Sequence, residues 1–177
     1  MTKFIDFCKH QHDIECNQKY NKTLPYSFHL SLVANRVEKF DYLLDNMDER
    51  FVCLHGAWGH DLIEDARVTY NDIKIEMEKE NFYKYSNPVA DIIYACTELR
   101  GKNRDERHGA EYIQGLKDNK LGLFVKLCDI SANIGFGILT NSSMVNKYKF
   151  EFPKFKESLY LEEYKDLFEY IEKQLGL

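Results

Sequence analysis

His29, the adjacent pair His60-Asp61 and the distant Asp129 bring together side chains that could hold a divalent metal. Two imidazoles and two carboxylates, gathered from separate segments, are donors for a hard-to-borderline cation such as Mn²⁺ rather than for a thiolate zinc site. In His60-Asp61-Leu62-Ile63-Glu64-Asp65, His60 and Glu64 are four residues apart, as are Asp61 and Asp65. On a helix each couple would share one face, one turn apart. Three carboxylates and an imidazole crowded beside Trp58, Leu62 and Ile63 would disfavour their own ionised forms unless a cation held them. The alternative is a solvated helix end whose acids face water. For an isolated His-Asp dipeptide that plainer reading is preferred; what argues against it is the accompanying His29 and Asp129.

These residues need elements to position them, and helical periodicity dominates the chain. A first amphipathic helix is predicted from Lys3 to Lys19, then a polar connector through Asn21, Thr23 and Pro25. A second helix begins near Tyr26 and carries His29 in its first turn, with Leu32, Val33, Val37 and Phe40 as a buried stripe. A third runs from about Asp48 through Phe51, Val52, Leu54, Ala57 and Trp58 to His60-Asp61, ending near Ala66. Thr69-Tyr-Asn-Asp72 has the form of a capping box and opens a fourth helix through Lys79. Further helices are expected over Pro88–Leu99, Arg104–Leu116 and Asn119–Leu139, the last largely apolar around Asp129. Pro25, Pro88 and Pro153 are placed at helix starts or connections. The tail from Lys147, with Tyr164, Leu167, Phe168 and Ile171, reads as a final amphipathic helix over about 156–176 docked on a motif-bearing core of about 19–140. A partner-binding helix is the sharper alternative for it.

At 177 residues and 44% hydrophobic, the chain has enough sequence for one domain with a real core, and an all-α bundle over 1–177 is the expectation. A net charge of −5 without basic blocks argues against general nucleic-acid binding, so an anionic substrate must meet local cations or a metal. Apolar runs look too short for a membrane span and the first residues lack a signal-peptide core, which points to a cytoplasmic protein. Cys8, Cys16, Cys53, Cys96 and Cys128 lack Cys-x-x-Cys spacing and read as reduced core residues.

At His29, His60-Asp61 and Asp129 the chain resembles the HD-domain phosphohydrolase superfamily, whose metal set is one His, a His-Asp pair and a later Asp. Its stretch His60-Asp-Leu-Ile-Glu-Asp-Ala-Arg-Val-Thr-Tyr-Asn-Asp-Ile73 looks like that of RelA/SpoT-type alarmone hydrolases and their small stand-alone relatives. Val125-Lys-Leu-Cys-Asp129-Ile-Ser-Ala-Asn133 resembles the second signature of the same group. The likeness runs from about Lys19 to Asn133. It implies an HD-type helical bundle in which His29, His60, Asp61 and Asp129 ligate one Mn²⁺, and Glu64 with Asp65 position and deprotonate the attacking water. It also implies substrate contacts from Lys19 and Asn133, with Lys102, Arg104 and Arg107 as further cations for phosphate. For those last three a solvated surface role is an equal alternative.

The chain departs from that group at Gln18-Lys19, where an Arg-Lys pair is usual, at Leu30, and at Gly56-Ala57-Trp58-Gly59 ahead of the pair. Trp58 is expected in the core. The stretch Cys96–Arg107 and the Pro153 region look more like small HD proteins of bacteria and phages. Three functions are weighed: hydrolysis of the 3′-pyrophosphate of guanosine tetra- or pentaphosphate, general hydrolysis of a mononucleotide or phosphorylated dinucleotide, and metal-stabilised nucleotide binding without turnover. The first leads, because Glu64-Asp65 matches the alarmone subgroup.

Overall fold

The computed structural model describes residues 2–98 and 109–177, and shows an all-α bundle with one two-stranded hairpin. The α-helices among these residues are α1 (Lys3–His10), α2 (Tyr26–Lys39), α3 (Met47–Gly59), α4 (Leu62–Asp65), α5 (Tyr70–Glu78), α6 (Tyr83–Cys96), α7 (Ala110–Asp118), α8 (Lys120–Leu139), α9 (Met144–Leu159) and α10 (Lys165–Leu175). The hairpin pairs β1 (Lys19–Tyr20) with β2 (Leu24–Pro25), antiparallel, with Tyr20 opposite Leu24.

The apolar helix α8 is the hub. It packs against α2, α3, α6 and α10, and fills the centre with Leu123, Phe124, Val125, Leu127, Cys128 and Ile134. By length and composition this 20-residue helix could cross a membrane, contrary to the expectation of no such run, yet 67% of its most apolar window is buried inside the bundle. Asn119 starts it by accepting a hydrogen bond from the Gly122 N–H. Thr69 and Asp72 make the expected capping box on α5.

Between α3 and α6 the helices approach closely at two glycines. A Cβ on Gly56 would lie 2.5 Å from Ile92 Cγ2, and one on Gly59 2.5 Å from Ile93 Cδ1. These glycines let α3 lie close against α6 in the turn that leads to His60.

Several expected boundaries are corrected. The first helix is α-helical only to His10, continues as one π-helical turn (Gln11–Glu15), and never reaches Lys19, which sits in β1. The third helix ends at Gly59; His60 and Asp61 form a break before the single turn α4. Pro88 lies inside α6 rather than at its start. The extra turn before it places the Ser86 hydroxyl on Glu78 and the Tyr85 hydroxyl on Asp48. Pro153 is likewise inside α9. The tail is two helices, α9 and α10, separated by the 3₁₀ turn Glu162–Tyr164, and both pack on α8. Cys16 is exposed, while the other four cysteines are buried and all five are free. Trp58 is half-buried against the core under Lys9.

Candidate metal centre

Three parts of the fold deliver the cluster. His29 projects from the first turn of α2, His60-Asp61 from the break between α3 and α4, and Asp129 from the middle of α8. His29, His60 and Asp129 are 2%, 1% and 5% exposed, burial that such polar groups tolerate only with partners. His29 Nε2 lies 3.2 Å from His60 Nε2, 3.6 Å from Asp61 Oδ2 and 3.3 Å from Asp129 Oδ1. His60 Nε2 lies 3.0 Å from Asp61 Oδ2 and 3.7 Å from Asp129 Oδ1. One ligand atom each from His29, His60 and Asp61 falls within 4.8 Å of the others, so this trio could hold a metal ion. Asp129 faces the same two nitrogens.

The surroundings orient each ligand. His60 Nδ1 donates to the Ala57 carbonyl at 2.8 Å, which leaves the Nε2 lone pair pointing into the cluster. Among the described residues His29 Nδ1 has no such acceptor; Tyr20, from the hairpin, stacks on its ring at 4.8 Å. Asp61 Oδ2 accepts from the Tyr26 hydroxyl at 2.5 Å. Asp129 is gripped on both oxygens: Oδ1 accepts from Asn133 Nδ2 at 2.6 Å, and Oδ2 pairs with Lys126 at 3.2 Å. Asn133 is itself fixed by the Tyr20 hydroxyl at 3.0 Å.

The electrostatics call for positive charge. Burial pulls the His60 imidazole down, but Asp61, by charge and hydrogen bond, and then Asp129 outweigh it and push its pKa up to about 9. Burial would raise both carboxylates, yet His60 and His29 hold Asp61 far below the usual range, and Lys126 with the two histidines does the same for Asp129. Lys126 is held charged in turn: burial works against its ammonium, and Tyr112, Asp129 and Asp61 prevail. The His60 proton and Lys126 balance the two carboxylates; a divalent cation would displace that proton, and two imidazoles with two carboxylates are a donor set that such a cation fits.

Beside the cluster opens a cavity of about 400 Å³, a size that suits a small organic ligand. Glu64, Asp65, Asn133, His29, Asp61 and Asp129 all line it, so six of the expected site residues share one space. Lys19 does not line it; it is exposed on β1, because the chain turns into the hairpin one residue before Tyr20 faces His29. Lys102, Arg104 and Arg107 lie outside the described residues.

The break at His60-Asp61 alters the expected helical couples. Asp65 still closes a turn on Asp61, its N–H donating to the Asp61 carbonyl at 2.9 Å. Its Oδ2 accepts from Gln18 Nε2 at 2.8 Å and from the Tyr26 hydroxyl at 3.2 Å. Gln18 is oriented by His12, whose Nδ1 lies 2.8 Å from Gln18 Oε1. Glu64 Oε2 accepts from the Glu98 N–H at 3.1 Å. Burial first, against that N–H and with the charges of Glu98 and Asp61, pushes the Glu64 carboxyl above its ordinary value.

Sequence reasoning missed Lys126, Tyr20 and Tyr26 as supports, and α9 as a cavity wall. Lys126 carried a signal: a lysine three residues before an acid in an otherwise apolar helix needs that acid as its partner. The tyrosines carried none, since only the hairpin and the α2 start bring them to the cluster.

Comparison of the chain with protein-family models, with curated proteins and with solved structures found no match.

Proposed function

We propose that the protein is an HD-superfamily phosphohydrolase that uses one divalent metal, Mn²⁺ by donor type, to cleave a phosphate or pyrophosphate ester of a nucleotide. The observation that carries the reading is the convergence of His29, His60 and Asp61 ligand atoms within 4.8 Å, with Asp129 opposite, at the wall of a cavity. A cation held there would supply Lewis acidity toward water and a phosphoryl oxygen. The chain's own residues do the rest. Glu64, with its raised pKa, is suited to accept the proton of the attacking water. Asp65, fixed by Gln18 and Tyr26, orients that water from the neighbouring position. Lys126 keeps Asp129 ionised, and Asn133 fixes which oxygen faces the imidazoles.

As substrate, the resemblance around Glu64-Asp65 favours the 3′-pyrophosphate of guanosine tetra- or pentaphosphate. A less charged substrate, such as a mononucleotide or phosphorylated dinucleotide, is the second reading, and two observations favour it. Gln18 stands where an arginine is usual and is spent on Asp65. Among the described residues the cavity presents Asp61, Glu64, Asp65, Glu98, Asp129 and Glu151 against only Lys126 and Lys154.

Metal analysis of the purified protein, followed by a phosphate-release screen across nucleotides, tests the proposal. Pyrophosphate release supports the alarmone substrate and orthophosphate release the second reading. Absence of turnover with every divalent metal would leave a nucleotide-binding module. His60→Ala and Asp61→Ala should each lose stoichiometric metal. Full metal in both variants removes the site.

A further inference from the structure

The cavity lining is uneven. Most of its carboxylates and its imidazole come from the segments around α2, α4 and α8, and most of its aromatic rings come from α9, which also contributes Glu151 and Lys154. On α9, Tyr148, Phe152, Phe155 and Leu159 recur every three or four residues and form its inward stripe. Phe150 stands off that stripe. It is 73% exposed, yet it lines the cavity with Tyr148, Phe155 and Lys154. Lys154, one helical turn on, brings its ammonium to 5.0 Å from the centre of the Phe150 ring.

Exposure alone does not mark Phe150, since Met47 and Leu139 are at least as exposed; what sets it apart from the other exposed apolar side chains among the described residues is its place in the lining of this cavity. An aromatic ring at the wall of a cavity, with a cation beside it, is the arrangement that holds a flat, electron-rich heterocycle through its face. We infer that Phe150 with Lys154 is the subsite for the substrate's base, stacking a purine or pyrimidine on the wall formed by α9 while the phosphate lies toward the His-Asp cluster. The choice of a nucleotide as the ligand rests on the proposed function, and the phosphate's position rests further on the phosphohydrolase reaction.

The test is calorimetric titration of the full chain in Mn²⁺ with two hydrolysis-resistant phosphonates, one of guanosine and one of bare ribose. Wild type should bind the guanosine compound at least about tenfold more tightly than the ribose compound. Phe150→Ala should lose roughly ten- to a hundredfold in affinity for the guanosine compound, Phe150→Trp should keep it, and ribose phosphonate binding should be equal in all three. The position is exposed enough for these variants to fold. Equal guanosine binding by wild type and Phe150→Ala overturns the subsite, as does a wild type that does not distinguish the two ligands. Phe150-dependent base binding without phosphate release from any nucleotide would keep the subsite and sink the proposed reaction. Nucleotide hydrolysis with KM unchanged in Phe150→Ala would do the reverse.

Discussion

Lys126→Met tests whether the cluster is an electrostatically closed unit. The side chains of Lys126 and Asp129 are 13% and 8% exposed and meet at 3.2 Å. At an effective dielectric constant of about 20, that separation gives a gross attraction of about 5 kcal/mol. Methionine keeps the apolar stem and removes the charge, so Asp129 is left buried without it, a defect typically costing about 3–5 kcal/mol. The loss has a ceiling, because the carboxyl can instead take a proton. Starting from an ordinary pKa, doing so at neutral pH costs about 4 kcal/mol. The metal-free variant should therefore unfold about 3–4 kcal/mol more easily than wild type, a fall of roughly 6–16 °C in midpoint for a chain of this size. Chemical denaturation with and without Mn²⁺ measures it. In an Asp129→Asn background the same substitution should cost at least about 2 kcal/mol less, since the charge it compensates is already gone. Saturating Mn²⁺ should return part of the loss in the single variant. A loss below about 1 kcal/mol, or an equal loss in both backgrounds, would refute the reasoning.

Three further outcomes are expected. Glu64→Gln should keep metal and fold, because it removes a proton acceptor with little change in volume, and slow phosphate release by roughly a hundredfold or more; steady-state kinetics at the parental rate would take Glu64 out of the mechanism. Tyr26→Phe deletes the 2.5 Å bond to Asp61 and should weaken Mn²⁺ binding about ten- to a hundredfold, read by competition with a chelator. The third concerns pH: burial above all holds His12 and His55 below their ordinary pKa, so the unfolded chain binds more protons than the folded one as pH falls through about 6.5. Stability from these two groups is full above that pH and lost below it. Unfolding midpoints from pH 7.5 to 5 should fall less steeply in His55→Gln than in wild type; parallel curves would show that His55 is protonated in the fold.

The amino-acid order alone carries the fold class and most of the cluster, for physical reasons that act locally. Apolar spacing along 26–40 and 47–59 demands helices that bury one face, the nearly continuous apolar run 120–139 demands a helix buried on most sides, and Thr69 with Asp72 spells out a helix start within four residues. His29, His60-Asp61 and Asp129 were legible because two imidazoles and two acids set among apolar neighbours are costly to bury without a common partner. Tertiary structure alone decided the rest. The close approach of α3 to α6 at Gly56 and Gly59, just before the break at His60, is a contact between distant segments whose depth no local signal fixes. Proline rules misplaced the start of α6 because hydrogen bonds from Tyr85 to Asp48 and from Ser86 to Glu78 reach across the fold. Lys19 was expected at the substrate and lies outside, while Tyr20 beside it reaches His29, since in a strand adjacent side chains point to opposite faces. Whether a residue serves the site thus turned on a single step of register, which only the folded hairpin supplies.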